Sequence, residues 1–198
     1  MTTIYLIRHG EVENPEQIWY GRLPGYGLSE RGRQEIAKTA KYLADKKISQ
    51  LYASPLQRAQ ESMEIIKEKL GMSEVITSED LLEVKSVFQG KPIVEVTKIR
   101  FDWFFTRERG QTDDKMEGVR DRMHNFLRTI HKNHLHETVA ALSHGDPLMI
   151  IKAHLNGLPM SLDSIREGHY LNHGEVLKVD IDENKATIES VFLPRNIR

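Results

Sequence analysis

The chain has 198 residues, of which 39% are hydrophobic and 29% are charged, and none is cysteine. Its 28 basic and 29 acidic residues give a formal net charge of −1, so no general basic surface indicates a nucleic acid or an anionic membrane as a partner. The lack of cysteine excludes disulfides, thiolate zinc ligands and thiol nucleophiles. No segment has the pattern of a signal peptide or the length of a membrane span. We therefore expect a cytoplasmic protein whose residues 1–198 form a single domain.

The first part of the chain predicts strands that alternate with helices. Residues 4–7 form a short apolar run rich in β-forming side chains, which is typical of a buried parallel strand. Ser29 is a suitable N-cap for a helix over the residues that follow it. Residues 51–53 predict a brief second strand. Ser54 and Pro55 then predict a helix start, with the serine as the cap and the proline at the first helical position.

The middle of the chain predicts a short strand, a loop and two helical segments. Residues 75–77 are expected to form the strand, and residues 80–92 the loop. Residues 93–134 have a helical pattern of apolar side chains on either side of a polar break at residues 107–115. We expect that break to separate two helices.

The last part of the chain predicts a buried strand at residues 138–142, a turn and a helix, and then a hairpin or edge pair. The pair comprises residues 175–181 and 187–192, around a turn at residues 182–184. Strands that alternate with helices predict an α/β protein with three layers, α/β/α, and a mainly parallel central sheet. The exposed faces of the last two strands leave the oligomeric state open.

Two of the nine histidines lie where such a sheet binds its ligands, which is beyond the carboxyl ends of the strands. His9 and His144 each follow a predicted buried strand and directly precede a glycine, whereas the other histidines are expected in helices or polar turns. Either histidine alone could be a structural residue. Together they indicate one shared site.

Four segments, in this order along the chain, resemble the motifs of the histidine phosphatase superfamily, the phosphoglycerate mutase-like proteins. The segments are residues Leu6 to Glu11, Leu28 to Gln34, Ser54 to Ala59 and Ser143 to Gly145. The resemblance runs from residue 3 to about residue 150. It implies the fold of that superfamily and an enzyme of its phosphatase branch.

The resemblance implies that His9 is a nucleophile and becomes phosphohistidine. A phosphoryl group in transfer carries negative charge on its equatorial oxygens, so its transfer needs positioned cations. We expect Arg8, Arg58 and a protonated His144 to supply them, since a guanidinium donates two hydrogen bonds to two oxygens. The resemblance implies neither a metal nor a cofactor.

The residue expected to protonate the leaving group is Glu83. Leu82-Glu83 followed by Phe88-Gln89-Gly90 is similar to the acid-bearing loop of the family, although the triplet stands one residue closer to the glutamate than usual. Glu83 would act as the general acid in the first step and as the base for water in the second. The nearby Glu79 and Asp80 stay open as rival carboxylates.

Further residues are expected to contact the substrate or its phosphate, namely Gly10, Asn14, Arg22 and Gly145. Asn14 lies five residues after His9, where the family often has an asparagine six residues after the nucleophile. The segment around Arg22 resembles a substrate loop but lacks its frequent aspartate. Trp19 and Tyr20 are candidates for the wall of the pocket.

Two other groups of residues have alternative interpretations. His131, His134 and His136 could bind a metal, but no carboxylate completes a known spacing, and we expect histidines on the surface. Trp103-Phe104-Phe105 could form part of a lid over the substrate or pack in the core.

The function expected from this resemblance is metal-independent hydrolysis of the phosphomonoester of a small metabolite. One alternative is phosphoglycerate mutase activity, which returns the phosphoryl group to the substrate before water reacts. Only 61 positions separate Glu83 from His144, fewer than the long cap insertion of the cofactor-dependent mutases would need, so the phosphatase is favoured. A second alternative is a catalytically weak regulatory protein that binds phosphorylated ligands.

Overall fold

A single mixed sheet of six strands forms the centre of the computed structural model, which describes residues 1–107, 109–183 and 185–194. The strands are β1 (Thr2–Arg8), β2 (Gln50–Ala53), β3 (Ile76–Thr77), β4 (Thr138–Ser143), β5 (Val176–Ile181) and β6 (Ala186–Phe192). Their order across the sheet is β3-β2-β4-β1-β5-β6. β1 to β4 are mutually parallel, whereas β5 is antiparallel to β1 and β6 is antiparallel to β5. The mainly parallel sheet and the closing antiparallel pair confirm the sequence predictions.

Helices cover both faces of this sheet. The helices are α1 (Glu30–Leu43), α2 (Gln57–Leu70), α3 (Ile93–Lys98), α4 (Met116–Asn133), α5 (Gly145–Leu155) and α6 (Leu162–Arg166). Successive side chains of a strand point to opposite faces. In β1, Ile4 and Leu6 accordingly pack with the apolar residues of α4 and α5, while Tyr5 and Ile7 pack with those of α1 and α2. The predicted three-layer α/β/α architecture is confirmed.

The start of α2 differs from the sequence prediction. The helix begins at Gln57 with Leu56 as its N-cap, and Ser54 and Pro55 precede it. Ser54 Oγ instead lies 2.8 Å from Nε2 of His144. The serine therefore contributes to the contacts at the end of the sheet and does not cap the helix.

The segment between residues 93 and 134 is also less helical than its pattern predicts. α3 ends at Lys98, and α4 begins only at Met116, so the break is longer than residues 107–115. Arg100 and Phe101 have φ angles of 54° and 55°, which a right-handed helix cannot contain. Glu108, inside the expected break, lies outside the described residues, as does Asn184 in the expected turn between β5 and β6.

The register of the sheet brings the ends of β1 and β4 together. Arg8 is paired with Ser143 across the two parallel strands. His9 and His144 follow these two residues, and the backbone N–H of His9 donates a hydrogen bond of 3.2 Å to the carbonyl of Ser143. The two histidines selected from the sequence are therefore neighbours at the carboxyl edge of the sheet.

None of the helices in the described ranges combines the length and apolar character needed to cross a bilayer.

Candidate active site

His9 is buried at the end of β1, and its hydrogen bonds leave the Nε2 lone pair directed at a cation. Nδ1 donates to the carbonyl oxygen of Gly10 at 2.7 Å, so the proton lies on Nδ1. Nε2 accepts a hydrogen bond of 3.2 Å from Nε of Arg58. Burial, followed by the charge of Arg58, lowers the pKa of His9 well below its usual range. The ring is therefore neutral at neutral pH, with a lone pair on Nε2 that accepts the hydrogen bond from Arg58.

Arg58 reaches the site from the second residue of α2 and is almost fully buried. One terminal nitrogen donates to the carbonyl of Gly21 at 2.8 Å, and the guanidinium lies 4.8 Å from the ring centre of Tyr20. The same helix supplies Ser62, whose hydroxyl oxygen accepts from the backbone N–H of Gly10 at 3.2 Å. α2 thus fixes both a cation and the backbone of the loop that follows His9.

Arg8 is held by the segment that precedes β5. Its NH1 donates to the carbonyl of Leu171, and its NH2 donates to Nε2 of His173 at 3.2 Å. Nε of Arg8 is buried and has no acceptor within the described part of the chain. The remaining N–H groups of Arg8 can therefore donate to an anion beside His9.

His144 lies 5.1 Å from His9 between ring centres and is fully buried. Burial, followed by the charge of Arg58, lowers the pKa of His144 well below its usual range. Without a phosphoryl group, this environment favours the neutral ring at neutral pH, and the protonated His144 expected beside a phosphoryl group stays a prediction. Its Nδ1 has no partner among the described residues, while Nε2 contacts Ser54. If the Ser54 hydroxyl donates to Nε2, a neutral His144 still presents an N–H at Nδ1.

A third histidine, His173, belongs to the same cluster and was not selected from the sequence. Its ring centre lies 5.6 Å from that of His9, and its Nε2 accepts the hydrogen bond from Arg8. Burial, followed by the charge of Arg8, lowers the pKa of His173 to about 3. His173 precedes Gly174 and the amino end of β5, and because β5 is antiparallel to β1, that end lies at the carboxyl edge of β1. A search that includes the amino ends of antiparallel strands would have found it.

Glu83 is the buried one of the three candidate carboxylates, whereas Glu79 is exposed and Asp80 is partly exposed. Oε1 of Glu83 accepts from the backbone N–H of Val84 at 2.8 Å. Burial, followed by the negative charge of Asp146, raises the pKa of Glu83 to about 7. A carboxyl group with this pKa exists in both protonation states at neutral pH, as an acid that later becomes a base must.

Arg22 supports the loop that contains Glu83. Its Nε donates to the backbone carbonyl of Glu83 at 2.6 Å, and NH2 donates to Asp114 at 2.7 Å. Asn14 uses its side chain within its own turn, since its Nδ2 donates to the carbonyl of Ile18 and its Oδ1 accepts from the N–H of Ile18. In this arrangement both residues maintain loops around the site.

The two expected glycines lie where the chain has no room for a side chain. A Cβ at Gly10 would lie 2.5 Å from the carbonyl oxygen of Gly32 in α1. A Cβ at Gly145 would overlap the hydroxyl of Tyr170. These close approaches allow the loops after β1 and β4 to pack against neighbouring segments.

The histidines near the end of α4 make structural contacts. Nδ1 of His131 lies 3.0 Å from the hydroxyl of Thr2, and His134 lies 2.8 Å from both the hydroxyl of Tyr52 and the carboxylate of Glu137. Within the described ranges, no group of three or more histidine, aspartate or glutamate residues could hold a metal ion.

A cavity of about 330 Å³ adjoins the histidine cluster through Arg8. Its lining consists of Arg8, Trp19, Phe101, Trp103, Asp146, Arg166 and Tyr170. Trp103 and Phe104 are buried, whereas Phe105 is 56% exposed. Trp19 and Trp103 are thus wall residues of one cavity, and the segment around Trp103 also packs in the core.

Comparisons with known proteins agree with this geometry. Residues 4–193 match the model of the histidine phosphatase superfamily (branch 1). An uncharacterized protein of Mycobacterium tuberculosis is 45% identical over 92 residues, which are 46% of this chain and 45% of that protein, so the match spans less than half of this relative. Phosphoserine phosphatase 1 of Hydrogenobacter thermophilus is 28% identical over 169 residues, which are 81% of this chain and 79% of that protein.

A solved structure extends the likeness to the whole fold. Bacillus stearothermophilus YhfR has a TM-score of 0.83 and 27% sequence identity, with 96% of each chain covered. The family model covers the chain from the third residue of β1 to one residue beyond β6, including all the clustered histidines and arginines. The protein therefore belongs to the histidine phosphatase superfamily.

Proposed function

We propose that the protein is a metal-independent phosphomonoester hydrolase that forms a phosphohistidine on His9. The observation that carries this proposal is the geometry of the buried His9 ring, in which Nδ1 donates to the Gly10 carbonyl and Nε2 lies 3.2 Å from Nε of Arg58. Burial also lowers the pKa of His9, which favours the neutral ring. A nucleophile for phosphorus needs a lone pair such as that of Nε2. The hydrogen bond that Arg58 makes to Nε2 must pass to the oxygens of the phosphoryl group before the attack, so that the arginine holds the group and the lone pair becomes free. The phosphatase named among the relatives supports the same class of reaction.

In the first step, Nε2 of His9 attacks phosphorus, and the bond from phosphorus to the ester oxygen breaks. The leaving oxygen takes the proton of Glu83, so an alcohol departs and Glu83 becomes a carboxylate. Arg8, Arg58 and the N–H of His144 donate to the phosphoryl oxygens. The negative charge of the phosphoryl group would raise the pKa of His144 and so strengthen this donor.

In the second step, water attacks the phosphohistidine. The carboxylate of Glu83 takes a proton from that water, the bond between phosphorus and Nε2 breaks, and inorganic phosphate leaves. Each group returns to its first protonation state. The pKa of about 7 for Glu83 suits both roles, because neither state of the carboxyl group is strongly favoured at neutral pH.

The first test is hydrolysis of p-nitrophenyl phosphate with EDTA present. We expect full activity in the chelator. Activity that disappears with EDTA and returns with a divalent cation would contradict the proposal.

The second test is chemical trapping of the intermediate. Rapid acid-free quenching with ³²P-labelled ester should give a label that is stable in alkali and labile in acid, and a His9→Ala variant that remains folded by circular dichroism should carry none. A label that persists in this variant would refute His9 as the nucleophile. Labelled enzyme mixed with 3-phosphoglycerate should release phosphate; transfer of the label to that acceptor would instead indicate a mutase.

A further inference from the structure

The cavity beside Arg8 is lined mainly by aromatic residues. The rings of Trp19 and Trp103 are stacked, with centres 4.2 Å apart and an angle of 22° between planes. Phe101 meets Trp103 edge-on at 5.6 Å. Trp19 is also stacked with Tyr20, the ring that lies against Arg58. When Arg8 and Arg58 hold the phosphate of an ester, the alcohol part of that ester therefore extends into this aromatic cavity.

The acidic residue in this cavity is fully occupied by protein donors. Oδ1 of Asp146 accepts from NH1 of Arg166 at 2.5 Å and from the hydroxyl of Tyr170 at 2.6 Å. Oδ2 accepts from NH2 of Arg166 at 2.8 Å and from the indole N–H of Trp103 at 2.6 Å. Asp146 thus positions three residues that line the cavity, Trp103, Arg166 and Tyr170. Because each of its oxygens already accepts two hydrogen bonds, it cannot also accept from an ammonium group on a ligand.

The same contacts neutralise Arg166, which lines the cavity together with Arg8, the arginine assigned to the phosphate. Arg166 forms a two-bond ion pair with Asp146, and its NH2 also donates to the carbonyl of Phe101 at 3.0 Å. A carboxylate on the leaving group would therefore meet the Arg166 guanidinium, whose charge Asp146 already balances. That carboxylate would also lose its own hydration. The cavity favours an uncharged leaving group.

Two lining residues nevertheless carry buried donors without acceptors. Nε1 of Trp19 and Nε of Arg166 have no hydrogen-bond acceptor in residues 1–107, 109–183 and 185–194. Buried donors are normally paired, so an acceptor atom on a ligand fits here better than a wholly hydrocarbon group. The cavity volume of about 330 Å³ is at the small end of the usual range of about 300–1,000 Å³ for ligand pockets, which suits one or two rings.

We infer, on the basis of the proposed phosphatase function, that the preferred leaving group is a flat, uncharged ring alcohol that carries a hydrogen-bond acceptor. Esters of small charged alcohols, such as O-phosphoserine and 3-phosphoglycerate, are correspondingly poor substrates. The aromatic walls select the flat ring, the saturated Asp146 and Arg166 pair rejects charge, and the unpaired donors select the acceptor.

Two matched esters test the selection of a flat ring. Benzyl and cyclohexylmethyl phosphates have leaving alcohols of similar size and basicity, and they differ mainly in the flatness of the ring. We expect kcat/KM to be at least tenfold higher for the benzyl ester than for cyclohexylmethyl phosphate or O-phosphoserine. Equal values, or a preference for O-phosphoserine, would overturn the inference.

A second pair tests the acceptor. Ring-substituted methoxybenzyl and ethylbenzyl phosphates have nearly the same shape, but only the methoxy group accepts a hydrogen bond. At one ring position or more, the methoxy ester should have a severalfold higher kcat/KM. Equal values at every position would refute the role of the unpaired donors.

Two variants test whether the preference for the benzyl ester depends on the residues that line the cavity. Trp103→Leu should reduce the preference for the benzyl over the cyclohexylmethyl ester to less than threefold. Phe105→Leu, at an exposed aromatic residue outside the cavity lining, is the matched control and should keep the preference of the unchanged protein. An unchanged preference in Trp103→Leu would contradict the inference.

Fluorescence gives a readout that needs no turnover and no folded Trp103→Leu protein. The chain has two tryptophans, Trp19 and Trp103, and both line the cavity. In a His9→Ala variant, benzyl phosphate should change the tryptophan emission at concentrations at least fivefold lower than cyclohexylmethyl phosphate does. If both esters change the emission at the same concentrations, the cavity does not select flat ligands.

The two proposals fail in different ways. If His9 is labelled and all esters are hydrolysed with similar kcat/KM, the phosphatase stands and the inference about the leaving group fails. If no ester is hydrolysed and no label forms, the proposed function fails, and the inference that depends on it fails as a statement about substrates. The fluorescence experiment then still decides whether the cavity selects flat ligands.

Discussion

Burial shifts the acidity of His9, His144 and His173 in one direction and that of Glu83 in the other. Each shift favours the uncharged form of the side chain, with the pKa lowered for the histidines and raised for the glutamate. The two arginines, Arg8 and Arg58, supply the positive charge beside them. The site therefore combines permanent cations with neutral rings and one acid that titrates near neutral pH.

Glu83→Gln should remove proton transfer while keeping the size of the side chain. We expect kcat/KM to fall about 100-fold or more for esters of poor leaving groups such as benzyl phosphate, and much less for p-nitrophenyl phosphate. In the proposed mechanism Glu83 must be protonated, so activity of the unchanged enzyme should fall as pH rises through about 7. Steady-state rates between pH 5 and 9 measure this.

The Glu83→Gln variant also distinguishes the titration of the enzyme from the titration of the substrate in the pH profile. Any titration of the ester itself should persist in Glu83→Gln, whereas the decrease near pH 7 that belongs to the enzyme should disappear. Equal rate losses for good and poor leaving groups would move the acid role to another carboxylate, with Glu79 and Asp80 the first to examine.

His173 is a positioning residue for Arg8, since it accepts one of the two hydrogen bonds that hold the guanidinium. His173→Ala should lower kcat/KM roughly tenfold, the value of one hydrogen bond in the transition state. His173→Gln, which keeps an acceptor oxygen, should recover most of that loss. If the two variants unfold at the same temperature but have equal activities, a positioning role through this hydrogen bond is excluded.

The sequence indicated these residues to different extents. His9 and His144 follow from the strand pattern alone, because parallel strands in register bring their carboxyl ends together. Arg58 and Glu83 came from a resemblance of motifs, since a helix or loop residue has no local pattern that indicates a buried site. His173 was missed because its position depends on the antiparallel pairing of β5 with β1.

At the scale of elements, the strands were predicted better than the helix boundaries. A buried strand is specified by its own apolar side chains, and β1 and β4 both match the predicted runs closely. The boundaries of α2 and α3 depend on contacts with distant parts of the chain. Ser54 has the character of an N-cap but contacts His144, and the chain leaves α3 through two residues with positive φ.

The packing of α1 against the loop after His9 gives a prediction about glycine. Gly32 is the third residue of α1, and a Cβ there would overlap the backbone of Glu11. Gly32→Ala should therefore destabilise the protein by about 1–3 kcal/mol through overpacking and also lower activity, because the loop that holds His9 must move. Urea unfolding and kcat/KM measure the two effects.

Gly118 provides the matched control, because it is also the third residue of its helix, α4, and a Cβ there would meet nothing within 4 Å. Gly118→Ala should stabilise the protein by about 0.5–1 kcal/mol through helix propensity and leave activity unchanged. A stabilising Gly32→Ala would show that the contact between α1 and the His9 loop is not tight.

For the whole molecule, the buried titratable groups make the free energy of unfolding depend on pH. In the unfolded chain, histidines bind protons below about pH 6.5, but His9, His144 and His173 have lowered pKa values when folded. The unfolded state thus binds more protons as pH falls, and the stability due to these three residues decreases. Glu83 has the opposite sign between about pH 4.5 and 7, because its folded pKa is raised and the folded state binds the extra proton.

Three histidines outweigh one glutamate, so unfolding should become easier as the solution is acidified. Each group that differs by a full proton contributes about 1.4 kcal/mol per pH unit, so these four groups together contribute a slope on the order of 2 kcal/mol per unit near pH 5.5. His173→Gln should make this slope shallower, and Glu83→Gln should make it steeper. Urea unfolding at pH 5, 5.5, 6 and 6.5 measures all three slopes. Equal slopes in the two variants would mean that these side chains are not held in their uncharged forms by the fold.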